Sequence, residues 1–247
     1  MIGTVDIQNF VVRYLLPPVG CIIAAVATVY IISEINPLGA ALLCAAAISF
    51  AVAIVAPRVG LITLVVLCGY SDFLKRTLIF WSELSFEQLS YVLIAAPLVV
   101  TGLIVAFVTR WAFHEIAVTR RDFLMGLLVV VGMGLSFALE WRESKQVLES
   151  AKAAVNNGLY VALMPVLAQF ISNEEQIVKF FRLAVLLFIP VAAYGIFQAI
   201  FGFADFEIQY LRTGLTITAN ELNPRPFSTL NSAGALGDMA AIMAILS

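Results

Sequence analysis

The sequence predicts an all-α, polytopic membrane protein. It reads as one helical membrane domain over residues 1–247, with about seven to eight transmembrane helices and short interfacial helices between them. Two observations carry that prediction. Hydrophobic residues make up 62% of the chain and charged residues only 12%, with a mean hydropathy of +1.01. A soluble domain of this length needs far more charge to cover its surface. The apolar residues also gather in long runs, close to the ~20 residues that a helix needs to cross hydrocarbon. Such runs satisfy their backbone internally as helices rather than as barrel strands. The net charge of −2 gives no reason to expect a nucleic-acid partner.

The runs fall at about 14–33, 38–56, 59–71, 88–109, 123–139, 157–172, 177–201 and 231–247. The first contains "YLLPPVG" and flows into a full span, so it reads as a retained helix rather than a cleaved leader. The third, "VGLITLVVLCGYS", is short and leads into "DFLKR", so a thin tilted span or a re-entrant piece is expected there. Lys and Arg in the loops should set orientation. With the N-terminus inside, the inner loops hold Arg13, Arg58, Arg110, Arg120, Arg121, Lys179 and Arg182. The outer loops then hold Lys75, Arg76, Arg142, Lys145, Lys152, Arg212 and Arg225, an even division. The dense cluster "VTRRD" near Arg110 favours an inner N-terminus; the even division fits either outer cations kept for an anionic ligand or misplaced span boundaries.

Two segments read as helices lying flat at the headgroups. In "SKQVLESAKAAV" (144–155), Val147, Leu148, Ala151 and Val155 share a face. In "FADFEIQYLRTG" (203–214), Phe203, Phe206 and Tyr210 share one, with Asp205, Glu207 and Arg212 expected to turn away from it.

Catalytic motifs are sparse. His114 is the single histidine, and Cys21, Cys44 and Cys68 each sit inside an apolar run. The sequence holds no H-E-x-x-H, Walker loop or G-x-G-x-x-G, and no His/Cys/carboxylate cluster with ligand spacing, so no metal or other cofactor is expected. The chemistry concentrates near the end, in "ELNPRPFSTLNSAGALGDMAAIMAILS". Arg225 lies between Pro224 and Pro226, which push its backbone towards a stiff, extended conformation. A guanidinium held this way suits a two-pronged contact with phosphate. Ser228, Thr229, Asn231 and Ser232 follow, and any of the last three could cap the next helix, whose free N–H groups attract anions. Arginine, hydroxyls and helix start together read either as a phosphate cradle or as an ordinary loop entering a span. Beyond them, Ala233, Gly237 and Ala241 form a small-residue face for helix packing, and Asp238 is an ionisable group inside an apolar run.

The stretch "AAYGIFQAIFGFADFEIQYLRTG", a polar loop, and "RPFSTLNSAGALGDMAAIMAIL" resemble the O-antigen ligase and O-antigen polymerase family of bacterial envelope proteins. Gly195, Gln198 and Gly202 match the family's Gly-x-x-Gln-x-x-x-Gly helix end. Arg225, Phe227, Thr229 and Asn231 match in part the arginine and Gly-Thr-Phe-x-Asn-Pro-Asn-like stretch that opens its next span. Ser228 stands where the family usually has glycine, and Asn231-Ser232-Ala233 where it has Asn-Pro-Asn. The specific match covers about residues 190–240.

The resemblance implies a metal-independent, inverting glycosyltransferase without a cofactor in the bacterial inner membrane. It would move glycan from an undecaprenyl-pyrophosphate carrier to a glycan or lipid acceptor at the outer face. It implies that Arg225 holds the pyrophosphate with Ser228, Thr229 and Asn231 beside it, and Arg212, Gln198 and Asp238 as secondary candidates. The family also has a large outer loop with an important histidine and further spans. The chain ends at Ser247 inside an apolar run, so it reads as the N-terminal part of a longer protein. A non-catalytic membrane subunit or a lipid-linked glycan transporter are the competing readings.

Overall fold

The computed structural model describes residues 37–81, 92–113, 115–116, 119–171, 173–212, 226–230 and 233–246. The expected first span, 14–33, lies outside the described residues, as do Arg225, Asn231 and His114. The described residues are helical with no strand, and five of their helices are long and apolar enough to cross a membrane. The protein is an all-α, multi-pass membrane protein.

The helices are α1 (Pro37–Val55), α2 (Pro57–Trp81), α3 (Ala95–Ala112), α4 (Arg120–Ser144), α5 (Val147–Val161), α6 (Leu163–Phe170), α7 (Glu174–Phe201), α8 (Asp205–Arg212) and α9 (Ala233–Leu246). Their ends follow local chemistry. Pro57 opens α2, where its missing N–H is no loss. Thr119 and Asp122 form a reciprocal capping box at the start of α4, and Lys145 closes that helix with a left-handed φ of 56°. Asn173 caps α7 by accepting from the Glu175 N–H, with Glu174 and Glu175 at its positive end.

Two expectations from the sequence need correction. The short third run is no re-entrant piece. α2 continues through Asp72, Lys75 and Arg76 to Trp81, 25 residues in all. It survives those charges because Arg76 has buried partners in Glu207 and the Ser228 carbonyl. The flat helix at 144–155 and the span at 157–172 are also not separate elements. α5 and α6 follow one another across the single residue Ala162 and double back along α4. Gly158 makes that close approach possible, because any side chain there would collide with Met133 of α4.

The core lies where α1, α2, α3 and α6 meet, around Ala53, Leu61, Val99, Val100, Leu103 and Val166. A second cluster joins Phe188 and Val191 of α7 to Leu230, with Leu236 and Met239 of α9 packed on it. By contrast, α4 turns Leu124, Leu128, Val131, Leu135 and Leu139 outward. Their spacing makes one continuous apolar face suited to lipid.

Alternate directions of the long helices create two poles. Arg58, Arg110 and Phe170 meet at one. Arg76, Gln198 and the turn at 226–230 meet at the other.

Close helix contact depends on Gly102, where a Cβ would come within 2.7 Å of the Phe50 carbonyl oxygen of α1. Gly102→Val should therefore lower stability by about 1–3 kcal/mol through overpacking. Gly126→Ala is the control, since beyond its own stretch of helix backbone no described atom lies within 4 Å of its added Cβ. Thermal unfolding in detergent should separate the two variants; equal midpoints would contradict this packing.

Candidate functional site at the 226–230 turn

The second pole is built around an arginine in the last third of an apolar helix. Such a group is costly unless it is paired and fully hydrogen-bonded. Arg76 is 1% exposed, is paired with Glu207, and donates a hydrogen bond from each of its three guanidinium nitrogens. Its Nε donates to the Asp72 carbonyl at 3.1 Å, Nη1 to Glu207 Oε1 at 3.2 Å and Nη2 to the Ser228 carbonyl at 2.7 Å. The guanidinium carbon lies 4.6 Å from the centroid of the Phe227 ring, which stacks in turn on Phe203.

Glu207 comes from α8 and is fully buried. Its Oε1 also accepts from Gln198 Nε2 at 2.7 Å, and its Oε2 accepts from the Ala204 N–H at 3.2 Å. Burial pushes the Glu207 carboxyl above the usual carboxylate range, and the Ala204 N–H and the Arg76 guanidinium draw it part of the way back. The expected orientation of Glu207 is thus corrected. It faces inward beside Tyr210, because pairing with Arg76 outweighs the hydration it would keep at the surface.

Gln198 occupies the last turn of α7, 3% exposed. One end of its amide donates to Glu207. The other accepts from the backbone N–H groups of Phe227 at 3.0 Å and Ser228 at 2.6 Å. Ser228 adopts φ 55°, a left-handed conformation that favours glycine. Its hydroxyl donates to the Val191 carbonyl, and the Thr229 hydroxyl donates to the Gly69 carbonyl at 2.6 Å. The Leu230 N–H closes the turn on the Phe227 carbonyl at 3.0 Å. At Gly195, one turn before Gln198, a Cβ would stand 2.9 Å from Leu236 and 3.4 Å from the Ser228 Cβ, so the turn and α9 press directly on this glycine.

The candidate residues from the sequence therefore divide. Gln198, Ser228 and Thr229 converge. All three are buried, and their polar groups engage other parts of the protein, so here they hold the turn in place. Arg212 is exposed at the end of α8, and Asp238 is exposed on α9. Arg225 and Asn231 lie outside the described residues. Arg76 and Glu207 are the members that sequence reading missed. A span carried on to Trp81 would have exposed Arg76 as an intramembrane charge in need of a partner. Nothing in the sequence singles out Glu207 from Asp205 beside it. The Arg76 and Glu207 charges compensate each other, so the cluster is a scaffold that fixes a turn rather than an open anion site. Among the described residues, no three His, Cys, Asp or Glu side chains group to hold a metal ion.

Compared with family models, curated proteins and solved structures, the chain matches none.

Proposed function

We propose that this protein is a glycosyltransferase of the O-antigen ligase and polymerase type in a bacterial cytoplasmic membrane. It takes glycan from an undecaprenyl-pyrophosphate carrier at the outer face and joins it to a glycan or lipid acceptor. One observation carries this reading. The two motif pieces behind the resemblance touch, since Gln198 of the Gly195-x-x-Gln198-x-x-x-Gly202 pattern holds the Phe227 and Ser228 N–H groups of the second. A further detail agrees with it: Ser228 has a positive φ at the position where the family usually has glycine.

On this reading the buried cluster fixes the turn to which Arg225 is joined through Pro226. In the reaction, an acceptor hydroxyl attacks the anomeric carbon and releases its proton to water, and the bond from that carbon to the pyrophosphate oxygen breaks with its electron pair. Charge grows on the departing pyrophosphate, and a fixed cation that meets it stabilises the transition state. Arg225 is the cation assigned to that task, with the exposed Arg212 at the same pole as a secondary one.

The test is genetic and chemical together. Cells lacking the protein should lose polymerised or ligated surface glycan and accumulate the carrier-linked oligosaccharide, and the complete reading frame should restore both. An unchanged glycan profile in the deletion strain sinks the proposal. The orientation is tested separately. A cysteine replacing the exposed Gln209 should react with a membrane-impermeant thiol reagent in intact spheroplasts, whereas one replacing Glu175, at the opposite pole, should react only after lysis. The reverse pattern rules out an outward-facing turn.

A further inference from the structure

At the pole opposite the turn, two arginines converge on Phe170, the last residue of α6. Arg58 Nε donates to the Phe170 carbonyl at 3.2 Å, and the Arg110 guanidinium lies 5.2 Å from the centroid of the Phe170 ring. One residue thus orients both cations, through its backbone and through its ring. Both line a cleft of about 360 Å³ that also includes Gln169 and the first residues of α2. Neither is salt-bridged to a carboxylate among the described residues. The nearby Asp122 carboxylate is engaged instead by Thr119 and Gln169.

Past Arg58 and Phe170 the cleft continues into an apolar groove of about 200 Å³ walled by Ile62, Ile171, Phe180 and Leu183. Gln176 lines this groove, and its Oε1 is buried with no hydrogen-bond partner among the described residues. Two adjacent cations with no salt-bridged carboxylate among the described residues, a buried acceptor with no donor among them, and an apolar channel beside them describe one kind of ligand. It has a phosphate, a hydroxyl-bearing headgroup and a hydrocarbon tail.

We propose that this cleft binds an anionic phospholipid. The phosphate sits between the Arg58 and Arg110 guanidinium groups, where planar forks meet its oxygens. A headgroup hydroxyl donates to Gln176 Oε1, and an acyl chain follows the Ile62–Leu183 groove. The site lies at the opposite pole from the turn and does not depend on the glycosyltransferase reading.

The test uses the purified full-length protein in a neutral detergent, with thermal unfolding followed against added phosphatidylglycerol, phosphatidylcholine or inorganic phosphate. A ligand that binds only the folded state raises the midpoint in a concentration-dependent way. Phosphatidylglycerol should do so and phosphatidylcholine should not. Each single variant, Arg58→Gln or Arg110→Gln, should raise the half-saturating lipid concentration about tenfold or more, the effect of losing one charge-assisted hydrogen bond. Arg142→Gln, an exposed arginine at the other pole, should leave it unchanged. If a glutamine variant loses helical content, Arg58→Lys and Arg110→Lys take its place; they keep the charge without the fork and should bind with intermediate affinity. An equal shift with both lipids, or an unchanged shift in the Arg58→Gln/Arg110→Gln double variant, overturns the proposal. Inorganic phosphate reproducing the whole shift by itself overturns the lipid assignment in favour of a soluble phosphate.

Discussion

Arg76→Ala should be among the most destabilising single substitutions in this protein. It strands the buried Glu207 carboxylate and removes the donors to the Asp72 and Ser228 carbonyls. Breaking a buried ion pair from one side costs about 3–5 kcal/mol, a large part of the ~5–15 kcal/mol that holds a typical domain together. Glu207→Ala should cost a similar amount, because it leaves a guanidinium stranded instead. The combined change Arg76→Met/Glu207→Leu should recover much of the loss, since an apolar pair of similar size removes both desolvation penalties. Protein level in membranes and the unfolding midpoint in detergent report the result. Near-native stability of Arg76→Ala would mean that the pair does not hold the turn, and additive losses in the double variant would mean that the two residues are not coupled.

Arg225→Ala should cut glycan transfer by roughly ten- to several-hundred-fold, the effect of losing one or two charge-assisted hydrogen bonds to the pyrophosphate. Protein level should hardly change, because Arg76, Gln198, Ser228 and Thr229 make the contacts that anchor 226–230. Arg225→Lys should restore only part of the activity, since it keeps the charge but loses the two-pronged geometry. Polymerised or ligated glycan is scored on gels at matched expression, from the complete reading frame. This pattern is the reverse of that for Arg76, where stability falls first and activity only follows. Full activity from Arg225→Ala would reduce this arginine to a headgroup anchor.

Much of the helical plan was legible because bilayer thickness constrains apolar runs so strongly. The runs at 38–56, 123–139 and 177–201 correspond to α1, α4 and α7, each extended or trimmed by local caps. Legibility failed where charge interrupts an apolar helix. "DFLKR" looked like the end of a span, and only the tertiary partners Glu207 and Ser228 explain why α2 runs on through it. It failed again at 144–155, whose amphipathic face reads equally well as a surface helix or as the outer edge of a hairpin. Val147 and Val155 of that face are indeed exposed, while Ser150 and Ala154 are buried.

At the site, Gln198, Ser228 and Thr229 were legible as participants. Their task as anchors was not, since it depends on the Val191 and Gly69 carbonyls, far away in sequence. Glu207 was unreadable for a related reason. A carboxylate on a short amphipathic helix belongs outside unless a cation, here 131 residues away, has already been buried opposite it.

On the proposed function, the fixed turn serves a pyrophosphate-linked donor. The most direct test of this reading is donor binding and transfer by the purified full-length protein in lipid nanodiscs, with undecaprenyl-pyrophosphate-linked oligosaccharide, a glycan or lipid acceptor and a metal chelator present. Free undecaprenyl pyrophosphate should compete carrier binding away, transfer to the acceptor should persist despite the chelator, and Arg225→Ala should lose both while the protein stays folded. Carrier binding of equal strength in wild type and Arg225→Ala, or no transfer by a well-folded wild-type protein, would contradict it.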